Sequence, residues 1–198
     1  MILERFVDIE KVCCIPVSEE SNEIRIVVFP KPEKRIFPQM PNWKLNEIEQ
    51  YIKGFMSPFA KVRVINPTYE PLTIEMIAIL KDSVQDEGEV QRRLYRRIYK
   101  YFVPWLAKGE LPELGRRYSY EGLKARLAND EGIERYVSLT ITGGKSLEVL
   151  VSEGNREDVY HFSSTESGIL YPGTIDIEMN YSGDGIGDSE IGTNFIIG

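Results

Sequence analysis

The hydrophobic positions of this chain change period several times, and each change marks an element. Ile2, Leu3 and Phe6 are spaced for a short helix. Residues 9–17 then read as a strand, 18–22 as a polar turn and 23–29 as a second strand, with Ile24, Ile26 and Val28 alternating onto one face. Pro30, Pro32, Pro38 and Pro41 make the next stretch an extended connector, because each proline fixes φ and removes a backbone donor. Asn42 is placed to cap a helix whose inward face is Trp43, Leu45, Ile48, Ile52 and Phe55. A strand over 60–65 follows, and Asn66-Pro67 stops it.

Residues 69–80 give the longest strand pattern. Leu72, Ile74, Met76, Ala78 and Leu80 form one apolar row, and Ile77 and Ile79 make the other face apolar near its end, which predicts cover on both sides there. Val90, Leu94, Ile98, Phe102 and Trp105 recur at helical spacing and predict a helix over 87–105. Ser119 is placed to cap a short helix carrying Leu123 and Leu127, and 136–142 returns as a strand. Beyond Gly143-Gly144 short strand patterns at 147–151, 159–162 and 174–181 alternate with glycine-rich turns. This order predicts an α+β protein: two small ferredoxin-like α/β units in tandem over 1–67 and 68–142, with a β-rich C-terminal tail over 143–198. The first helix has no capping residue before it, which predicts that the chain is the C-terminal part of a longer protein.

Composition narrows the function. The chain has 198 residues, 42% hydrophobic and 28% charged, as expected of a folded domain rather than a disordered segment. The formal charge of −7 opposes bulk affinity for nucleic acid, which needs a positive face to displace counterions. With no apolar run long enough to span a bilayer and no secretory leader pattern, the sequence reads as that of a protein made in the cytoplasm.

Candidate chemistry is thin. Cys13 and Cys14 are adjacent in a strand, so their side chains point to opposite faces and read as one core thiol and one exposed thiol. His161 is the only histidine and reads as a surface or hydrogen-bonded strand residue. Asp184, Asp188 and Glu190 stand among glycines in the manner of a calcium turn, but in one short copy rather than a stacked array. No phosphate loop, nucleophile elbow or zinc spacing is present, so no catalytic residue, metal site or cofactor is assigned. Arg92, Arg93, Arg96, Arg97 and Lys100 form a dense basic block on the long helix. They read either as a solvated face or as a dock for an acidic protein surface. Salt-sensitive binding of single-stranded RNA would instead mark a ferredoxin-like ligand- or nucleic-acid-binding module.

Val62 to Glu75, followed by Tyr101-Phe102-Val103-Pro104-Trp105, resembles the C-terminal region of baseplate J-like proteins, wedge components of contractile phage tails and related injection systems. Leu3 to Phe6 with Ile9 to Ile15, and Tyr118 to Tyr120 with Gly132 to Val137, resemble the same family. The tail, with Gly185-Ile186-Gly187 and Ile191 to Ile197, is similar to versions from Bacteroidetes-type injection systems. The resemblance implies a structural role without catalytic residues. Its partners would be other wedge subunits, with the central hub or the sheath beyond them, and neither nucleic acid nor a small-molecule substrate is expected. On that reading the contact surfaces are the basic block, Ile77, Ile79 and the apolar terminus Phe195-Ile196-Ile197. Asn66, Pro67, Tyr69, Pro71 and Trp105 form a stiff junction between the two units.

Overall fold

Alternation along Ile26-Val27-Val28-Phe29 sets the first layer, because all four side chains are buried yet successive ones point to opposite faces. The computed structural model describes residues 2–15, 23–31, 33, 35–107, 110–151 and 156–182. After a short helix α1 (Ile2–Arg5), strands β1 (Ile9–Ile15) and β2 (Glu23–Pro30) pair antiparallel. Helix α2 (Asn42–Lys53) then crosses over to β3 (Lys61–Ile65), which lies parallel to β2. Leu45, Ile48 and Ile52 of α2 pack on Ile26, Val28, Val62 and Val64 together with Phe6, Ile9 and Met40. Val27, Phe29 and Ile15 face the other way, into a larger core shared with the rest of the chain.

That larger core is built on β4 (Thr68–Leu80). Its row Leu72, Ile74, Met76, Ala78 and Leu80 packs against Val90, Leu94, Ile98 and Phe102 of α3 (Glu87–Phe102) and Leu123 and Leu127 of α4 (Tyr120–Ala128). β4 is the centre of a three-stranded sheet, antiparallel to β6 (Ile133–Thr142) and parallel to β9 (Gly168–Tyr181). A third sheet has the order β5 (Tyr118–Ser119), β8 (Arg156–Phe162), β7 (Lys145–Val151).

The α+β class and the run of elements match the sequence pattern, with four differences. The described strands form three-stranded sheets, without a four-stranded ferredoxin-like sheet. β9, from the segment expected as a tail, runs beside β4 along its whole length, so the middle sheet takes strands from both sides of residue 143. The long helix stops at Phe102, because Pro104 forces Val103 out of helical geometry (φ −122°, ψ 57°), and a 3-10 turn at Pro104–Leu106 follows. Trp43 and Phe55 are 67% and 62% exposed rather than inward. Trp43 is two residues, about 200°, away from Leu45 around the helix, and Phe55 lies past the helix end, edge-on to Tyr51.

Gly143 and Gly144 make the two-residue turn that carries the chain from β6 in the middle sheet to β7 in the third. Gly144 has φ +65°, and a Cβ there would meet the Phe162 carbonyl oxygen at 2.6 Å. Gly144→Ala should therefore destabilise the fold by about 2 kcal/mol, the left-handed cost plus displacement of a backbone carbonyl. A urea midpoint that does not move would contradict this geometry.

Candidate functional site

Asn66 and Pro67 link β3, the last strand of the first sheet, to β4, the central strand of the next. The connector between β2 and α2 passes close by. Being proline-rich and extended, it has no ladder to satisfy its backbone, and three side chains do so instead. Trp105 Nε1 donates to the Ile36 carbonyl at 3.0 Å, and the Tyr69 hydroxyl donates to the Pro38 carbonyl at 2.9 Å. Asn66 donates through Nδ2 to the Met40 carbonyl and accepts at Oδ1 from the Met40 amide, both at 2.8 Å. The carbonyls of residues 36, 38 and 40 are thus each taken by a side chain from another part of the fold. Phe37 adds ring contacts to Tyr69 and Tyr171, at 5.2 and 4.6 Å between centroids. Pro67 is buried, and exposed Pro71 lies within β4, opposite Tyr171 of β9.

The opposite side of the junction is held by the loop between β8 and β9. Glu70 Oε2 accepts from Ser163 Oγ and from the Ser164 amide, each at 2.8 Å, and the Thr68 amide donates to the Ser167 carbonyl. Burial pushes the Glu70 carboxyl up, but the Ser163 and Ser164 hydrogen bonds and the Lys145 charge outweigh it and hold the group below its ordinary value. Arg25 of β2 reaches Glu166 in the same loop at 2.7 Å, an exposed pair that adds little. A Cβ on Gly168 would sit 1.6 Å from Ser163 Oγ, so this loop closes only around a glycine.

A recess of about 550 Å³ opens at the junction, lined by Phe37, Gln39, Asn66, Pro67, Thr68, Tyr69 and Tyr171. Its lining offers no carboxylate, thiol or imidazole, and burial holds the Tyr69 phenol well above its ordinary value. Of its polar side chains, Asn66 and Tyr69 hold the connector, and Thr68 Oγ1 lies 3.3 Å from Ser167 Oγ. Asn66→Ala should cost about 2 kcal/mol, since it leaves the buried amide and carbonyl of Met40 unpaired. The connector should also be cut faster by trypsin at Arg35, and an unchanged cleavage rate would count against the role of Asn66.

The basic block divides in two. Arg93 makes a bidentate pair with Asp130, at 2.8 and 3.2 Å, and Arg97 lies 3.4 Å from the same carboxylate. Arg97 also donates to the Arg126 and Asn129 carbonyls at the C-terminus of α4, where the helix dipole favours a cation. These two arginines are therefore tied to the turn between α4 and β6. Arg92, Arg96 and Lys100 are exposed and follow one another at i, i+4 and i+8 along the outer side of α3. Arg92 pairs with Glu89 and Asp86, whereas Arg96 and Lys100 have no ion-pair partner among the described residues. Asp130, missed in the sequence, carries a signal only in retrospect: it opens the Asp130-Glu131-Gly132 turn after a helix, and its Oδ1 accepts from the Gly132 amide.

The remaining candidates fall as follows. Ile79 is 2% exposed, so it is no free contact residue, while Ile77 is half-buried. Phe195, Ile196, Ile197, Asp184, Asp188 and Glu190 lie outside the described residues. Cys13 packs partly against the large core and Cys14 is exposed, both as free thiols. His161 is buried rather than at the surface, and its Nδ1 has no hydrogen-bond partner among the described residues. Burial holds it below the ordinary histidine value, with Asp158 pulling weakly the other way. No group of three or more metal-ligating side chains occurs among the described residues, and no helix there is long and apolar enough to cross a membrane.

A protein-family model described as "Baseplate protein PVC11-like" matches residues 3–159. A chain in a solved structure, "Cryo-EM structure of the anti-feeding prophage (AFP) baseplate, 6-fold symmetrised", aligns with a TM-score of 0.56 at 18% identity. The alignment covers 88% of this chain and 35% of that one, so this chain spans about a third of that relative's length. At that identity the likeness is one of fold. No curated protein matches the sequence.

Proposed function

The chain belongs to the PVC11-like family of baseplate proteins, and from that premise we propose that it is a wedge piece of a contractile tail-like particle, acting by assembly alone. A baseplate protein works among other baseplate subunits, so those are its partners. The observation that carries the wedge reading is the convergence of Asn66, Tyr69 and Trp105 on alternate carbonyls of one connector. Three side-chain donors along a proline-stiffened segment leave it little freedom to swing. We read the junction as a brace between two assembly modules, one on each side of Pro67, that fixes their mutual angle. A part that transmits force in a triggered device needs such an angle more than it needs a reactive group.

Exposed contact candidates are Arg92, Arg96 and Lys100 on α3 and half-buried Ile77 on the sheet. Neighbouring wedge subunits come first among the expected partners, with the hub or sheath after them. The test is removal of the gene from a producing strain. Particles should fail at the baseplate step, with sheath and tube unassembled, and the native gene supplied in trans should restore them. Complete, contractile particles without the chain would overturn the proposal.

A further inference from the structure

Helix α3 covers one face of the middle sheet, and the opposite face of that sheet carries an unusual set of side chains. On β4 the residues facing away from α3 are Thr73, Glu75, Ile77 and Ile79, the alternates of the buried row, and of these Ile79 is itself buried. Their partners on β9 are Thr174, Asp176, Glu178 and Asn180. Glu75 therefore stands directly beside Asp176, and Glu178 beside Ile77. Glu75, Ile77, Asp176 and Glu178 line a shallow depression of about 240 Å³, with Met76 beneath. Like charges side by side on neighbouring strands cost stability. Neither Glu75 nor Asp176 has a cation within reach among the described residues, and Glu178 is bonded only to the Asn180 carboxamide. Arg135, opposite Ile79 on β6, is a basic residue in register on this face, at its far end.

On the other side of the same layer, α3 shows the complementary pattern. Val90, Leu94 and Ile98 face the sheet, and the Tyr95 hydroxyl donates to the Ile175 carbonyl of β9. Arg92, Arg96 and Lys100 lie two residues further on, about 200° around, and so point away from it. The acids of this stripe, Asp86 and Glu89, sit at its Arg92 end, leaving Arg96 and Lys100 as the uncompensated cations. One side of the layer thus carries unpaired cations near one end, and the other carries unpaired carboxylates around an apolar spot.

We propose that these two surfaces dock on each other between copies of this chain, with Arg96 and Lys100 of one copy over Glu75, Asp176 and Glu178 of the next. The proposal rests on the assembly reading above and names a partner within it. A second copy is the occupant because one chain supplies both halves on opposite sides of one layer. Copies then stack head to tail, a heterologous contact that closes into a ring or continues as a filament. The formal charge of −7 does not forbid it, since long-range repulsion is screened beyond about 8 Å at physiological salt while contacting pairs are not.

The test is sedimentation of the full chain and of two variants, with thermal unfolding to confirm that each folds. One variant carries Glu75→Lys, Asp176→Lys and Glu178→Lys; the other carries Arg96→Glu and Lys100→Glu. The native chain should self-associate, and each variant alone should associate at least tenfold more weakly. An equimolar mixture should recover association, because each altered face then meets its opposite. Should a reversal fail to fold, Glu75→Gln with Asp176→Asn, and Arg96→Gln with Lys100→Gln, should weaken association in the same direction. A native chain monomeric at millimolar concentration, or variants that associate as the native does, overturns the inference. If such a chain still restores baseplate assembly in the strain lacking its gene, the homotypic contact alone has failed and the wedge reading stands.

Discussion

Trp105→Ala should cost about 4 kcal/mol, the upper range for emptying a buried aromatic site. Its indole is 2% exposed, packs in the large core and donates to the Ile36 carbonyl at 3.0 Å. Two losses add: the cavity, and one of the four side-chain hydrogen bonds that hold the connector. Trp105→Phe separates them, because it keeps most of the packing and should cost only about 1 kcal/mol beyond the lost volume for the missing donor. Urea unfolding of each variant, followed by tyrosine absorbance, measures the difference. A loss below about 1 kcal/mol for the alanine variant would mean that the 3-10 turn does not carry the junction.

Asp130→Ala is expected to be the other large loss, about 3 kcal/mol. The carboxylate is fully buried and satisfies Arg93, Arg97 and the Gly132 amide together. Both guanidiniums are about one-third exposed and regain some water when it is removed, which places the cost at the low end for a broken buried pair. The pH dependence has a definite sign. Burial raises the Asp130 pKa, but the Arg93 hydrogen bonds, the Gly132 amide and the two arginine charges outweigh it, and the folded value lies below the ordinary one. Its contribution is therefore complete above the unfolded value of about 4 and is lost as pH falls through the folded value. The stability gap between native and Asp130→Asn chains should be flat from about pH 5 to 8 and close below about pH 4. His161, held neutral by burial, loses stability on the acid side in both chains and cancels in the difference.

What the sequence makes legible follows from how local each signal is. The period of Val90, Leu94, Ile98 and Phe102 lies within one helix, and all four are buried as the spacing predicts. Ser119 caps α4 as its position implies, its Oγ accepting from the Gly122 amide at 2.7 Å. The helix end is equally local, set by Pro104, although the apolar Trp105 extends the pattern past it. The pairing of β4 with β9 joins segments about a hundred residues apart, and nothing in the alternation of either strand names its neighbour. For the same reason Arg93 and Arg97 look like a free basic face until Asp130, 37 residues from Arg93, is seen beneath them.

The junction shows both sides of this. Asn66, Pro67 and Tyr69 are conspicuous in sequence because proline and asparagine break a strand at a stiff turn. Their bonds to Pro38 and Met40 are not conspicuous, since a proline-rich connector advertises extension and not the carbonyls it leaves open. Gly168 and the serines around Glu70 are similarly mute, because what they satisfy lies in another strand.

The central claim, a braced baseplate wedge piece, is tested most directly by cryo-electron microscopy of the intact particle from the organism that encodes this chain. Density for the chain is expected in the baseplate, with the first and middle sheets at the mutual angle they have here and the Asn66, Tyr69 and Trp105 bonds to the connector in place. It is contradicted if the chain is absent from the baseplate, or if it is present with the two sheets turned about Pro67 and the connector bonds broken.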